Sequence, residues 1–264
     1  IRGLKMARIK GIALKKRHGQ HFLRDQEVVS SIFSKVGLNN QSCVFEIGCG
    51  DGFLTKAILE RPIKKLWGVE VDEQWAEKLK DEISDSRLVL FNEDVLKFDF
   101  NQLDEDKPWV LLGNLPYKIT FPILSLIYKH RYLFDCGVIM SQEEVAQKIV
   151  KKGGRGYGFN SLFFQHYFDW KLLDKVFPKS FFPPPKVDSR LLYFEPKKNI
   201  NAIDNEDEFW KFIKCCFKFP RRTLRNNLIQ THYPIENIDE KFLTMRSQQM
   251  NMNDFLLLWK AINC

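Results

Sequence analysis

The sequence predicts an α/β fold, a mostly parallel sheet covered by helices on both faces, followed by a smaller all-helical region. Three observations carry this. Short apolar runs alternate with helical patterns from Cys43 onward. The strand rhythm stops beyond Pro196, and only helical patterns follow. The chain has 264 residues, 44% of them hydrophobic, which suffices for one substantial core and a second, smaller one.

Residues 43–49 (CVFEIGC) read as a buried strand and 52–60 as the helix after it. A second strand at 66–71 (LWGVEV) precedes a charged amphipathic helix at 73–83. A third strand is expected at 88–93, and a fourth at 109–115 (WVLLGNL) with a helix near 121–128. A fifth follows at 136–140 (CGVIM), with a helix at 143–150. Glycines make 153–158 a loop, the prolines at 183–185 mark a break, and 191–194 reads as a late strand. Helical patterns cover 209–217, 221–228 and 254–262. A polar stretch at 197–205 marks a boundary, which divides the chain into a basic arm at 1–24, an α/β domain at 25–198 and a helical domain at 199–264.

Charge is unevenly placed along the chain, whose formal net charge is +8. Eight Lys/Arg and no acid precede Asp25, residues 25–196 hold 22 basic and 25 acidic groups, and residues 197–264 hold 11 and 8. A near-neutral middle between basic ends suits a nucleic acid met by Lys15, Lys16 and Arg17 and by Arg221, Arg222 and Arg225. A solubility tail, a transit-peptide remnant and a solvated helix face are the plainer accounts of the same charges. No run of about 18 apolar residues occurs, so no membrane-spanning helix is expected. Six cysteines without a C-x-x-C pair, and five scattered histidines, argue against a metal site. Apolar-flanked thiols and the lack of a secretory signal make the cytosol or an organelle matrix the expected setting. A monomer is expected.

Glu46-Ile47-Gly48-Cys49-Gly50-Asp51-Gly52 sits at a strand-to-helix turn. Gly48 and Gly50 let a ligand approach the backbone, and the helix N-terminus offers free N–H groups. The G-x-G-x-G spacing differs from the dinucleotide fingerprint, which disfavours a nicotinamide dehydrogenase. Glu70 ends the second strand, 20 residues after Gly50, where an acid accepts hydrogen bonds from a ribose diol. Glycine loop and acid together point to a nucleoside-containing cofactor. Asp94 closes the third strand, either as an acceptor for an adenine amino group of that cofactor or as an ordinary turn residue.

Asn114-Leu115-Pro116-Tyr117 ends the fourth strand and is the sharpest signal. The N6 amine of adenine is a poor nucleophile because its lone pair is delocalised into the ring. Two acceptors on its N–H groups favour a pyramidal nitrogen and free that pair. The Asn114 side-chain oxygen and the Leu115 carbonyl are candidates, with Pro116 fixing the local backbone angle. Tyr117 is a candidate to stack on the base. The plainer account is a strand-ending turn with a buried tyrosine.

On these motifs the sequence resembles the ribosomal RNA adenine dimethyltransferases of the KsgA type. The resemblance spans nearly the whole chain: KRHGQHFL at 16–23, EIGCGDGFLT at 46–55, GVEVD at 68–72, EDVL at 93–96 and NLPY at 114–117. FFPPPKVDS at 181–189 is similar to the family's F-x-P-x-P-x-V-x-S element, and RRTLRNNL at 221–228 to its C-terminal signature. The resemblance implies a Rossmann-like, seven-stranded S-adenosylmethionine-dependent methyltransferase sheet with a small all-helical C-terminal domain. It implies dimethylation of N6 on two adjacent adenosines in a small-subunit rRNA hairpin, as a step of ribosome biogenesis. It carries cofactor contacts onto His21, Leu23, Gly48, Gly50, Glu70, Asp94 and Asn114, and makes Phe181 a second stacking partner for the base. The family usually has Asn where this chain has His21. A protein of the same fold acting by binding, in ribosome assembly or mitochondrial transcription, is the main alternative; intact Glu70 and Asn114–Tyr117 favour catalysis. A DNA adenine methyltransferase can share the N-x-P-Y site, but the elements at 181–189 and 221–228 favour rRNA.

Overall fold

A computed structural model describes residues 8–9, 11–15 and 20–263. The chain divides into two compact units, one of Ile1–Ala146 with Lys171–Pro196 and one of Gln147–Trp170 with Lys197–Cys264. An antiparallel hairpin of β1 (Arg8–Ile9) and β2 (Ile12–Ala13) precedes β3 (Phe22–Leu23) and α1 (Gln26–Val36). Strand and helix then alternate through β4 (Cys43–Ile47), α2 (Phe53–Leu59), β5 (Lys65–Val69), α3 (Glu73–Glu82) and β6 (Leu88–Phe91). They continue through β7 (Trp109–Asn114), α4 (Thr120–Lys129), β8 (Phe134–Gln142) and α5 (Glu143–Val150). After α6 (Phe159–Tyr167) come β9 (Phe168–Val176), β10 (Phe181–Phe182) and β11 (Ser189–Pro196). Only helices follow: α7 (Glu206–Cys216), α8 (Leu224–Leu228), α9 (Glu240–Thr244) and α10 (Met252–Ile262).

Seven strands form one sheet in the order β6-β5-β4-β7-β8-β11-β9. The first five run parallel and β11 is antiparallel to β8. The register sets Ile47 level with Val69 of β5 and Gly113 of β7, so the carboxyl ends of the central strands open at one edge. β4 is buried along its length because both faces of the sheet are covered. On one face Val44, Val110, Leu112 and Met140 pack with Val29 and Ile32 of α1 and Leu54 and Ile58 of α2. On the other, Phe45 meets Phe98, Phe100 and Phe134, and Trp67 meets Trp109. Truncating one such fully buried aromatic to alanine costs about 3–5 kcal/mol. The expected seven-stranded sheet and the change to helices after Pro196 are both present.

The polar edge strand β9 was not expected from the sequence. It pairs with β11 alone, and its charged residues are exposed, so it lacks the apolar run by which the inner strands are read. Residues 147–170, expected within the α/β domain of 25–198, group with the helical residues instead. The cause is aromatic: the Phe163 ring of α6 lies 4.8 Å from Trp210 of α7, and the Trp210 indole donates to Tyr167 Oη at 2.7 Å. Phe209, Phe212 and Trp259 complete that second core. Among the described residues no helix is long and apolar enough to cross a membrane.

Candidate active site

A cleft opens at the carboxyl ends of β4, β5 and β7, the edge where open α/β sheets hold ligands. His21, Leu23, Gly48, Gly50, Glu70, Asp94 and Asn114 line it, and so do Leu115, Pro116 and Tyr117. Residues far apart in the chain meet here because β3 and three parallel strands all end at this edge.

The turn from β4 to α2 is built on left-handed glycines, with φ of 78° at Gly48 and 55° at Gly50. A Cβ on Gly50 would stand 2.7 Å from the Phe22 ring, so the main chain there is tightly seated. The turn is tied to β5 through Glu70: the Gly50 N–H donates to Oε2 at 2.7 Å and the Asp72 N–H to Oε1 at 2.8 Å. Burial pushes the Glu70 carboxyl above its ordinary value, and these two backbone bonds oppose the rise. Asp94 accepts from the Leu96 N–H at 3.0 Å, which is its turn-residue role, while its side chain also borders the cleft.

Asn114 carries the most informative geometry. Its Nδ2 donates to the main-chain carbonyl of His21 at 2.9 Å. A carbonyl only accepts, so the amide nitrogen must face His21 and Oδ1 stays free as an acceptor. The neighbouring Leu115 N–H donates to Met140 O at 3.0 Å, and the Leu115 carbonyl takes no hydrogen bond from the described residues. Two unspent acceptors therefore sit side by side at the cleft. Tyr117 lies beside them, its hydroxyl 2.6 Å from Ser189 Oγ. Burial raises the phenol's pKa, and the Ser189 bond opposes the rise. The His21 ring stands 5.9 Å from the Tyr117 ring and within 22° of parallel. Its Nδ1 lies 2.8 Å from Pro183 O, so Nδ1 carries the proton there.

Several expected residues are placed otherwise. Phe181, expected to stack on a base, is 4% exposed and packs in the core with Leu23, its partner in the β3–β10 pair. The antiparallel alternation turns Phe181 inward and leaves Phe182 outside, 45% exposed. Lys15, expected on phosphate, instead bonds the fully buried Asp72 at 2.6 Å, joined there by Gln20 Nε2 at 2.9 Å. Lys16 and Arg17 lie outside the described residues. Arg221 and Arg222 are exposed, whereas the Arg225 guanidinium is bonded to Glu240.

Glu46 opens the glycine motif, whose spacing gives it no role. It is buried at the cleft wall and accepts from Thr55 Oγ1 at 2.7 Å, and burial pushes its carboxyl up to about 7. An acid inside the otherwise apolar run CVFEI was the available signal. Gln20 and Phe22 also border the cleft, and Asp51 does so while paired with Arg24 at 2.5 Å. Nothing in their local sequence distinguishes them, since their positions depend on how the arm folds back.

The profile of the family described as ribosomal RNA adenine dimethylase matches residues 11–257. A ribosomal RNA small subunit methyltransferase A from Prosthecochloris aestuarii is 36% identical over 252 residues, covering 95% of each chain. The crystal structure of a dimethyladenosine transferase from Plasmodium falciparum superposes with a TM-score of 0.77 at 26% identity, covering 90% of this chain and 96% of that one. The 23S rRNA methyltransferase ErmE shares the fold, with a TM-score of 0.69 at 20% identity, covering 92% of this chain and all of the other. With its β4–α2 glycine turn, its acid at the end of β5 and its Asn-Leu-Pro-Tyr strand end, the chain belongs to the ribosomal RNA adenine dimethylase family.

Proposed function

We propose that this enzyme uses S-adenosylmethionine to dimethylate N6 of two adjacent adenosines in a small-subunit rRNA hairpin. We further propose that it acts as a monomer, and in a reducing cytosolic or organelle-matrix compartment, which suits its five described free thiols. The observation that carries the reading is the Asn114 amide, held by the His21 carbonyl with Oδ1 free beside the unspent Leu115 carbonyl.

S-adenosylmethionine supplies a methyl group on a positively charged sulfur. The cleft suits it: Glu70 has lone pairs left for ribose hydroxyls, Asp94 has a free oxygen for an adenine amine, and the turned glycines expose main chain. His21 and Leu23, which also line the cleft, would help to hold that ligand. Asn114 Oδ1 and Leu115 O accept the two N6–H bonds of the target, which pyramidalises the nitrogen and releases its lone pair. Pro116 sets the strand-end backbone that presents both acceptors, and Tyr117 stacks on the base. The His21 ring, parallel to Tyr117, takes the place expected of Phe181 beside the base. Neither acceptor is a strong base, and none is required, because the proton leaves only after the nitrogen has become cationic. Arg221 and Arg222 meet rRNA phosphates.

The test is nucleoside mass spectrometry after incubation with S-adenosylmethionine and under-methylated small ribosomal subunits. N6,N6-dimethyladenosine is expected; methyl found only on cytosine or on protein refutes the reading.

A further inference from the structure

Between α7 and α8 the chain makes a loop, Lys218-Phe219-Pro220-Arg221-Arg222, whose construction no step of the chemistry explains. Phe219 is 41% exposed. Single exposed apolar residues are ordinary, but this one combines three features. Its backbone is clamped: the Phe219 N–H donates to Asn227 Oδ1 at 3.0 Å, and Asn227 Nδ2 donates back to the Phe219 carbonyl at 3.2 Å. Asn227 is itself buried, 5% exposed, and spends its whole amide on this loop. The Arg222 N–H adds a third bond to the same carbonyl at 2.9 Å. Second, cations lie over the ring, with the Arg222 guanidinium carbon 4.3 Å and Lys218 Nζ 5.5 Å from its centroid. Third, Lys218, Arg221 and Arg222 form no ion pair with any described residue.

An exposed aromatic ring on a clamped backbone, stacked with cations that have no carboxylate partner, is an arrangement that holds single-stranded nucleic acid. Bases stack on the ring because every base has a π-face, and cations neutralise the phosphates on either side. A protein partner would be met better by an apolar surface with paired charges at its rim. We propose that this loop is an RNA-docking element in which an unpaired base of the substrate rRNA stacks on Phe219 while Lys218, Arg221 and Arg222 contact the adjoining phosphates. The inference rests on rRNA being the substrate and adds a base-binding residue to the charges.

Stacking and charge separate cleanly by salt. Phosphate contacts release counterions and set the slope of log Kd against log salt, whereas a stacked ring releases none. The experiment measures binding of the full chain and its variants to a naked, unmethylated small-subunit rRNA transcript over a salt series. Phe219→Ala is expected to weaken binding about 5- to 100-fold with the slope unchanged. Phe219→Trp is expected to restore it. Arg221→Ala is expected to lower the slope by close to one. The Phe219→Ala chain is expected to unfold at the wild-type temperature, since the ring contributes little to the core. Phe219→Ala binding the transcript within twofold of wild type overturns the proposal, as does a changed slope. A defect confined to whole subunits, absent on naked RNA, also overturns it and assigns the loop to a ribosomal protein. Failure of the wild-type chain to methylate subunits refutes the underlying reading instead, so the two failures are distinguishable.

Discussion

Replacing Glu46 by Gln tests the buried acid of the cleft. The carboxyl titrates at about 7 in the fold against an ordinary value of 4.5, because burial disfavours its charge more than the bond from Thr55 supports it. Each tenfold difference in proton affinity between folded and unfolded chain is worth about 1.4 kcal/mol. Below pH 4.5 both states hold the proton and the stability from this group is fully present. Between 4.5 and about 7 only the folded state keeps it, so stability falls as pH rises, by about 3 kcal/mol in all. Gln is neutral at every pH, nearly isosteric, and still accepts from Thr55. The Glu46→Gln chain is therefore expected to match wild type near pH 4.5 and to be about 3 kcal/mol more stable at pH 8. Urea unfolding at a series of pH values reads this directly as the difference between the two curves. A difference that does not grow with pH, or a variant less stable at pH 8, refutes the reasoning. The variant also exposes a functional cost. A carboxylate at the wall attracts a cationic ligand, so S-adenosylmethionine affinity should rise through pH 7 in wild type and stay flat in the variant.

Asn114→Ala is expected to lower kcat about 100-fold while S-adenosylmethionine affinity, read by calorimetry, changes much less, because the lost acceptor acts on the amine as it pyramidalises. Gly50→Ala places a Cβ 2.7 Å from the Phe22 ring at a φ of 55°, so it should cost at least the roughly 1–2 kcal/mol of a left-handed alanine and abolish cofactor binding. Lys15→Met should leave the salt slope of RNA binding unchanged and lower stability by about 1–3 kcal/mol, measured by urea unfolding. Burial alone would raise the Asp72 carboxyl, but the bonds from Lys15 and Gln20 hold it below its ordinary value of 3.8. That stability is present above 3.8 and is lost as pH falls through the lowered value, so the variant should unfold in acid at a higher pH than wild type.

Strands buried on both faces were legible because they are near-continuous apolar runs: β4, β5, β7 and β8 each fall within two residues of their expected bounds or better. Gly48, Glu70 and Asn114 were legible for a related reason, since each stands where such a run ends and the chain must turn. The two-residue β3–β10 pair was not legible, because its partners lie far apart in sequence and neither is long enough to show a period. That omission is why the burial of Phe181 was not legible, since its facing is decided by pairing with Leu23 rather than by its motif. The pairing of Lys15 was not legible for a similar reason: charge counting treats every arm lysine as free, and only the fold reveals Asp72 beneath it.

The bond from Asn114 to the His21 carbonyl spans 93 residues and runs to main chain rather than to a side chain. Evolution can therefore rewrite position 21 without misaligning the amide, and a histidine in the family's usual asparagine slot leaves that duty intact. The same bond makes the amide a reporter of chain integrity. Cleavage of the His21–Phe22 peptide bond itself would leave the sheet, the glycine turn and Glu70 standing, yet release the amide to rotate. Such a clipped chain would turn over poorly, a failure no substitution at residue 21 reproduces.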